Sequence, residues 1–257
     1  MKQKGAAGSS DKKPDESAHE RSAAKIKIMK KVMFLGNSFT YFNEMPVLFK
    51  NLSVTAGKNV KVGQVTRGGT ALRRYLVEGD EWEARFRETF MSDEWDYLVM
   101  QDQSMRPAVC ENEFSDAAHE LCEIAAARGT VPVFYQTWPY RDNTDKLGTT
   151  GCTYVEFYLK LRDAYRRAAA AEHAQIVPVG DVFYRLSLSH PEIDLLKSDN
   201  FHPSIYGSYA AALMFFYQFW GMDAQIKYLP EVIEQEKADY IIKEIREVMM
   251  AEQGSER

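Results

Sequence analysis

The sequence predicts an α/β domain in which a parallel β-sheet carries helices on both faces. Three observations point there. Short, nearly continuous apolar runs recur along the chain, as strands buried on both faces require. Amphipathic segments of helical period separate them. No repeat or linker divides the chain after residue 31, and its 257 residues, 45% of them hydrophobic, suffice for one large core.

The first 28 residues are polar and charged and read as a disordered leader or an appended extension, which leaves 29–257 for the domain. Strands are predicted at 31–35 (KVMFL), 59–65 (NVKVGQV), 96–100 (DYLVM), 131–136 (VPVFYQ) and 175–179 (QIVPV). After the first strand, Met45, Leu48, Phe49, Leu52 and Ala56 keep helical spacing, with Pro46 near the start and Gly57 at the end. A helix is expected over 71–90. Another spans 112–128, where Phe114, Ala117, Ala118, Leu121, Cys122 and Ala125 share a face and Gly129 stops it. Helical pattern also runs through 154–171, 204–219 and 231–249. Residues 140–152 (YRDNTDKLGTTGC) form the main predicted loop.

Charge narrows the function. Residues 1–31 hold nine Lys/Arg and four Asp/Glu, leaving 23 basic against 33 acidic residues in the body. Such a surface repels phosphate backbones, and no basic stripe with interleaved aromatics offsets it, so no nucleic-acid partner is expected. No run approaches the roughly 18 apolar residues that span a bilayer, and no signal-peptide core stands near the start, so a cytoplasmic location without membrane association is expected. Cys110, Cys122 and Cys152 form no CxxC and no even set, and read as ordinary thiols.

In an open parallel sheet, ligands bind beyond the carboxyl ends of the strands. There the sequence places Gly36-Asn37-Ser38, then "TRGGT" with Gly68 and Gly69, then "QDQS" (101–104), and late in the chain "SDNFHPS" with Asp199 and His202. Alone, each has a bland reading: Ser38 as a helix cap, Asp199 and His202 as a solvated turn, the glycines as a tight turn, Gln103 as a satisfied polar residue. Together, in order after successive strands, they are the parts of an acyl-transfer site. A serine hydroxyl needs a base, histidine suits the task, and an aspartate orients the imidazole. Donors for the oxyanion would be the Ser38 N–H, a glycine N–H and the Gln103 amide. His19, His119, His173 and His190 lack this setting, and no third or fourth ligand accompanies Asp199 and His202 to hold a metal. Asn37, Trp138 and Tyr140 are expected to line the substrate cleft.

The G-N-S-F-T stretch at 36–40 lacks the second glycine of an α/β-hydrolase elbow. The set instead resembles the SGNH (GDSL-type) hydrolase superfamily, with an early G-N-S serine and a late D-x-x-H pair, and "LGNSFT" with "LVMQDQS" most resembles a branch common in gut bacteria. The resemblance spans Ser38 to His202. It implies a flavodoxin-like three-layer α/β/α fold with a parallel five-stranded sheet, Ser38 as nucleophile, His202 as base, Asp199 as its orienting acid, and Gly69 as the oxyanion glycine, with Gly68 as the alternative. Where the family has G-x-N-D, this chain has Gln101-Asp102-Gln103-Ser104, so Gln103 stands for the asparagine with one more methylene. The implied activity is a serine esterase acting on a small acyl ester, such as an O-acetyl group on a carbohydrate, with no metal or organic cofactor. Two other readings stay open: a flavodoxin-like protein cradling a phosphate or flavin at 36–40, though no GxxxxGK[ST] or GxGxxG loop is present, and a non-catalytic ester or glycan binder.

Overall fold

The computed structural model describes residue 1 and residues 29–255. The expected leader at 1–28 lies, but for its first residue, outside them. Five strands form one parallel sheet in the order β2-β1-β3-β4-β5: β1 Lys30–Gly36, β2 Val60–Thr66, β3 Tyr97–Met100, β4 Val131–Tyr135 and β5 Gln175–Val177. All five predicted strands are present.

Alternation within the strands builds two cores from one sheet. Val32 and Phe34 of β1, Val99 of β3, and Val133 and Tyr135 of β4 face one side, where α2 (Met45–Thr55), α8 (Val179–Ser189), α9 (Ile205–Trp220) and α10 (Gln235–Ser255) pack. Met33, Leu35, Leu98, Met100 and Phe134 face the other side, against α3 (Glu81–Met91), α5 (Glu111–Ala126) and the C-terminal half of α7 (Tyr154–Ala171). Among the described residues, three short α-helices join these: α1 (Ser38–Tyr41), α4 (Arg106–Val109) and α6 (Asp145–Gly148). Among the described residues no helix is long and apolar enough to cross a membrane.

Four element predictions are corrected. The single helix expected over 71–90 is a 3-10 turn, Leu72–Leu76, followed by α3; Gly79 at φ 82° breaks the chain between them and Asp80 caps α3 through Trp82 N–H. The strand expected to reach 179 stops at Val177, and α8, absent from the sequence reading, begins at once. The 140–152 loop contains α6. The last helix starts at Gln235 and runs to Ser255, rather than 231–249.

The strand order reverses across β1, whose neighbours are β2 and β3, and the segments that follow these three strands carry Ser38, Gly69 and Gln103. Such a switch point opens a crevice at the carboxyl edge.

Candidate active site

Ser38 is placed by the end of β1. Gly36 is the last strand residue, and Asn37 caps α1 by accepting the Phe39 N–H (3.1 Å) on its side-chain oxygen. The same side chain donates to the Thr70 carbonyl (2.9 Å), and the Asn37 N–H donates to Gln101 Oε1 (3.1 Å), which also takes the Thr40 hydroxyl (2.9 Å). One buried asparagine thus ties together the segments after β1, β2 and β3.

His202 arrives on a different support. The segment before it folds back on itself: Leu196 bridges Pro203, Lys197 N–H donates to the His202 carbonyl (2.9 Å) and Ser204 N–H to the Leu195 carbonyl (2.9 Å). Asn200 sits at φ 70°, with its carbonyl taken by Arg141 N–H (2.8 Å) and its side chain by Arg141 Nε (2.9 Å). This fixes Asp199 beneath the ring, where Oδ1 accepts the N–H groups of Phe201 (3.2 Å) and His202 (3.0 Å) and Oδ2 lies 2.8 Å from His202 Nδ1. Nε2 lies 2.8 Å from Ser38 Oγ, 164 residues away in sequence. Ser38, His202 and Asp199 therefore form a continuous hydrogen-bonded chain. Partial burial pushes the Asp199 carboxyl upward, but the bonds from the His202 ring and the two N–H groups outweigh it and hold its pKa below the ordinary value.

Carboxylate pairing alone does not single out His202. His119 meets Glu172 at 3.1 Å, and His190 meets Glu192 at 3.0 Å while stacking on Tyr240. The distinguishing feature is the serine on the far nitrogen.

The expected oxyanion donors lie at the same edge. Gly69 is third in a β-turn closed by Thr70 N–H on the Arg67 carbonyl (3.2 Å), at φ 68°, a conformation that a β-carbon would penalise. Among the described residues, the N–H groups of Ser38, Gly68 and Gly69 donate no hydrogen bond. Gln103 accepts Met105 N–H (3.2 Å) on Oε1, and its NH2 likewise has no acceptor there.

Three residues expected in the cleft are not on its surface. Asn37 is 2% exposed, and both its side-chain oxygen and its NH2 are engaged in the ties above. Trp138 has no exposed surface: it is stacked between Phe39 (4.5 Å, 2°) and Phe183 (4.2 Å, 10°) and donates to the Phe201 carbonyl (3.1 Å). Tyr140 is also fully buried, with its hydroxyl 2.6 Å from Ser104 Oγ. Trp138 and Tyr140 are pillars behind the His202 loop. The rings beside the imidazole include Phe42, stacked on it (4.2 Å, 11°), Phe201 (4.0 Å, 38°) and Phe39, edge-on to it (5.8 Å, 68°), none of which the sequence reading singled out. As for a phosphate cradle, α1 has only four residues and its cap is filled by Asn37, so it offers no extended helix N-terminus.

Asp102 carries the remaining tension. It is 1% exposed, and its Oδ1 accepts the N–H groups of Leu72 (2.7 Å) and Gln103 (2.7 Å), joining the segments after β2 and β3. Burial pushes its pKa up to about 6, against the pull of those two bonds and of Arg106 nearby. A carboxyl raised in this way binds its proton more tightly folded than unfolded. Its ionisation therefore costs stability, progressively as pH climbs from the ordinary carboxylate range through about 6 and fully above that. Asp102→Asn keeps an oxygen for both N–H groups and removes the charge. It is expected to raise unfolding stability by about 1–3 kcal/mol at pH 8 and by little at pH 4. Urea titrations at the two pH values check this, and an equal effect at both would contradict it.

No family model matches the chain, and no curated protein matches it in sequence. Solved structures do. A candidate SGNH hydrolase from Slackia heliotrinireducens is 30% identical with a TM-score of 0.67, over 75% of this chain and 100% of the other. A DUF4886 family protein from Bacteroides uniformis is 20% identical with a TM-score of 0.72, over 87% and 95%. An acetylxylan esterase from Geobacillus stearothermophilus is 14% identical with a TM-score of 0.52, over 76% and 94%. At their lower identities, the last two share the fold.

Proposed function

Because the chain belongs to the SGNH hydrolase family, we propose that it is a serine esterase that removes a small acyl group from an alcohol oxygen, with an O-acetyl group on a carbohydrate as the preferred substrate class. The observation that carries this is the pair of 2.8 Å contacts joining Ser38 Oγ to His202 and His202 to Asp199.

In this reading Ser38 Oγ attacks the ester carbonyl while His202 Nε2 takes the hydroxyl proton, and Asp199 holds the ring and balances the charge it gains. The oxyanion is received by the N–H groups of Ser38 and Gly69, with Gly68 as alternative, and by the Gln103 NH2. His202 then gives its proton to the departing alcohol oxygen, leaving an acyl group on Ser38. Water attacks that ester, its proton passes to His202 and on to Ser38 Oγ, and the acid leaves. Bonds and protons balance over the cycle. Near-complete burial of Ser38, at 6% exposed, favours a small acyl group, and the acetylxylan esterase of the same fold supports a carbohydrate acetate.

The test is covalent. A fluorophosphonate should label the protein once, at Ser38 by peptide mass, and the protein should release acetate from acetylated xylo-oligosaccharides and hydrolyse p-nitrophenyl acetate. A protein that neither labels nor hydrolyses either ester is not this enzyme. Asp199→Asn, which leaves an oxygen for the Phe201 and His202 N–H groups, is expected to lower kcat by about 10²-fold or more with KM little changed. Steady-state rates on p-nitrophenyl acetate measure it.

A further inference from the structure

Two loops must meet for Ser38 and His202 to touch, and each is well held on its own side. Asn37 and Gln101 fix the serine segment, and Arg141, Trp138 and Asp199 fix the histidine segment. Trp138 already spans the two, stacked on Phe39 next to Ser38 and donating to the Phe201 carbonyl before His202; a second tie reaches the residues after His202.

Asn43 has the geometry for it. The chain turns sharply after α1, with Asn43 at φ 49° and Glu44 at φ 53°, both left-handed and both without glycine. Such residues cost about 1 kcal/mol or more each, asparagine least among side-chain-bearing types, so the conformation persists where surrounding contacts hold it. Here the contacts are specific. Asn43 Nδ2 faces three acceptors: the Ser204 carbonyl (2.9 Å), the Pro203 carbonyl (3.1 Å) and Ser208 Oγ (2.8 Å). Ser208 Oγ in turn donates to the Phe42 carbonyl (3.1 Å). The two acceptor carbonyls belong to the residues immediately after His202, about 160 positions along the chain. The same turn lays Phe42 flat on the His202 ring.

We propose that Asn43 is a positioning residue that sets the distance between Ser38 and His202 by clamping the serine segment to the residues that follow the histidine. This rests on the catalytic reading above. Asn43 touches neither the reacting atoms nor the ester; it acts through His202. Misplacing a catalytic group by about 1 Å can cost up to about 10²-fold in rate, so a clamp on this one distance has a disproportionate effect on the chemical step.

The decisive variant is Asn43→Gly in the full chain, because glycine keeps the left-handed backbone and loses only the amide. The expected result is a melting temperature near wild type, kcat for p-nitrophenyl acetate at least 10-fold lower, KM within about 2-fold, and fluorophosphonate labelling of Ser38 slowed in proportion. A role confined to the backbone turn would leave Asn43→Gly as active as wild type, and that result overturns the proposal. Should Asn43→Gly melt below the assay temperature, Ser208→Ala removes one acceptor and the Phe42 tie, and is expected to lower kcat about 2–5-fold with KM unchanged; unchanged kcat there also overturns it. The two readings fail separately. Wild-type protein that labels at Ser38 beside an Asn43→Gly variant that labels as fast refutes the clamp alone, whereas wild-type protein that never labels refutes the catalytic reading and the clamp with it.

Discussion

Ser38→Ala is expected to lower kcat/KM for p-nitrophenyl acetate by about 10⁴-fold or more while the melting temperature stays within about 2 °C of wild type. The separation follows from what the hydroxyl does and does not hold. Its hydrogen bond is to His202, whereas the turn around it is closed by the Asn37 carbonyl, which accepts the N–H groups of Thr40 (2.9 Å) and Tyr41 (3.1 Å). Alanine satisfies the first turn of a helix at least as well as serine. His202 Nε2 loses a partner, but its side chain is 17% exposed and water can serve it. Adding His202→Ala to Ser38→Ala is expected to cost little more, because a nucleophile and its base act as one unit. A Ser38→Ala protein with wild-type turnover would contradict the proposed mechanism outright, and so would a double variant far worse than either single one.

How far the sequence foretells this site depends on the kind of information each residue carries. The strands were legible because β1 reads KKVMFLG, with both faces buried, and a sheet strand covered on two sides must be apolar nearly throughout. α8 was not. Its opening, VGDVFY, is rich in β-branched and aromatic residues and follows Pro178 with no side-chain cap, so local propensity extends the strand while packing against α9 and α10 makes it helix. Ser38, Asp199 and His202 were legible because their chemistry is narrow and each follows a recognisable turn. The cleft residues were not: an aromatic after a strand can face solvent or core, and Trp138 is decided by Phe39 and Phe183, neither of them a neighbour in sequence. Asn43 and Phe42 gave no local signal because the groups they meet at the site, Pro203 and Ser204 for Asn43 and His202 for Phe42, lie beyond residue 200. Gln103 falls between, since its amide is at the expected edge while half of it is spent on Met105.

The glycine two residues before the serine carries the other large effect, on stability more than chemistry. Gly36→Ala is expected to destabilise the protein by about 2–4 kcal/mol, lowering the melting temperature by about 5–15 °C in a domain of this size. The cause is space and not conformation. A β-carbon on Gly36 would come 2.6 Å from Thr40 Oγ1, 2.8 Å from Gln101 Oε1 and 3.2 Å from the Gln101 carbonyl. Gln101 is fully buried, and that same Oε1 accepts the Asn37 N–H and the Thr40 hydroxyl, so moving it leaves buried donors without acceptors. The Gly36 carbonyl meanwhile is held by the Tyr75 hydroxyl (2.5 Å) and Arg67 N–H (3.1 Å), which prevents the strand end from swinging clear. Thr40→Ala in the same chain removes the nearest clash and not the second, so it should restore part of the loss and no more. Because Asn37 carries Ser38, turnover should fall with stability in Gly36→Ala, the opposite of the uncoupling in Ser38→Ala. Thermal melts and rates on the two single variants and the Gly36→Ala/Thr40→Ala pair decide it: an unshifted melt for Gly36→Ala would mean that the strand end yields, and that the close approach of β1 to Gln101 is not what fixes the nucleophile.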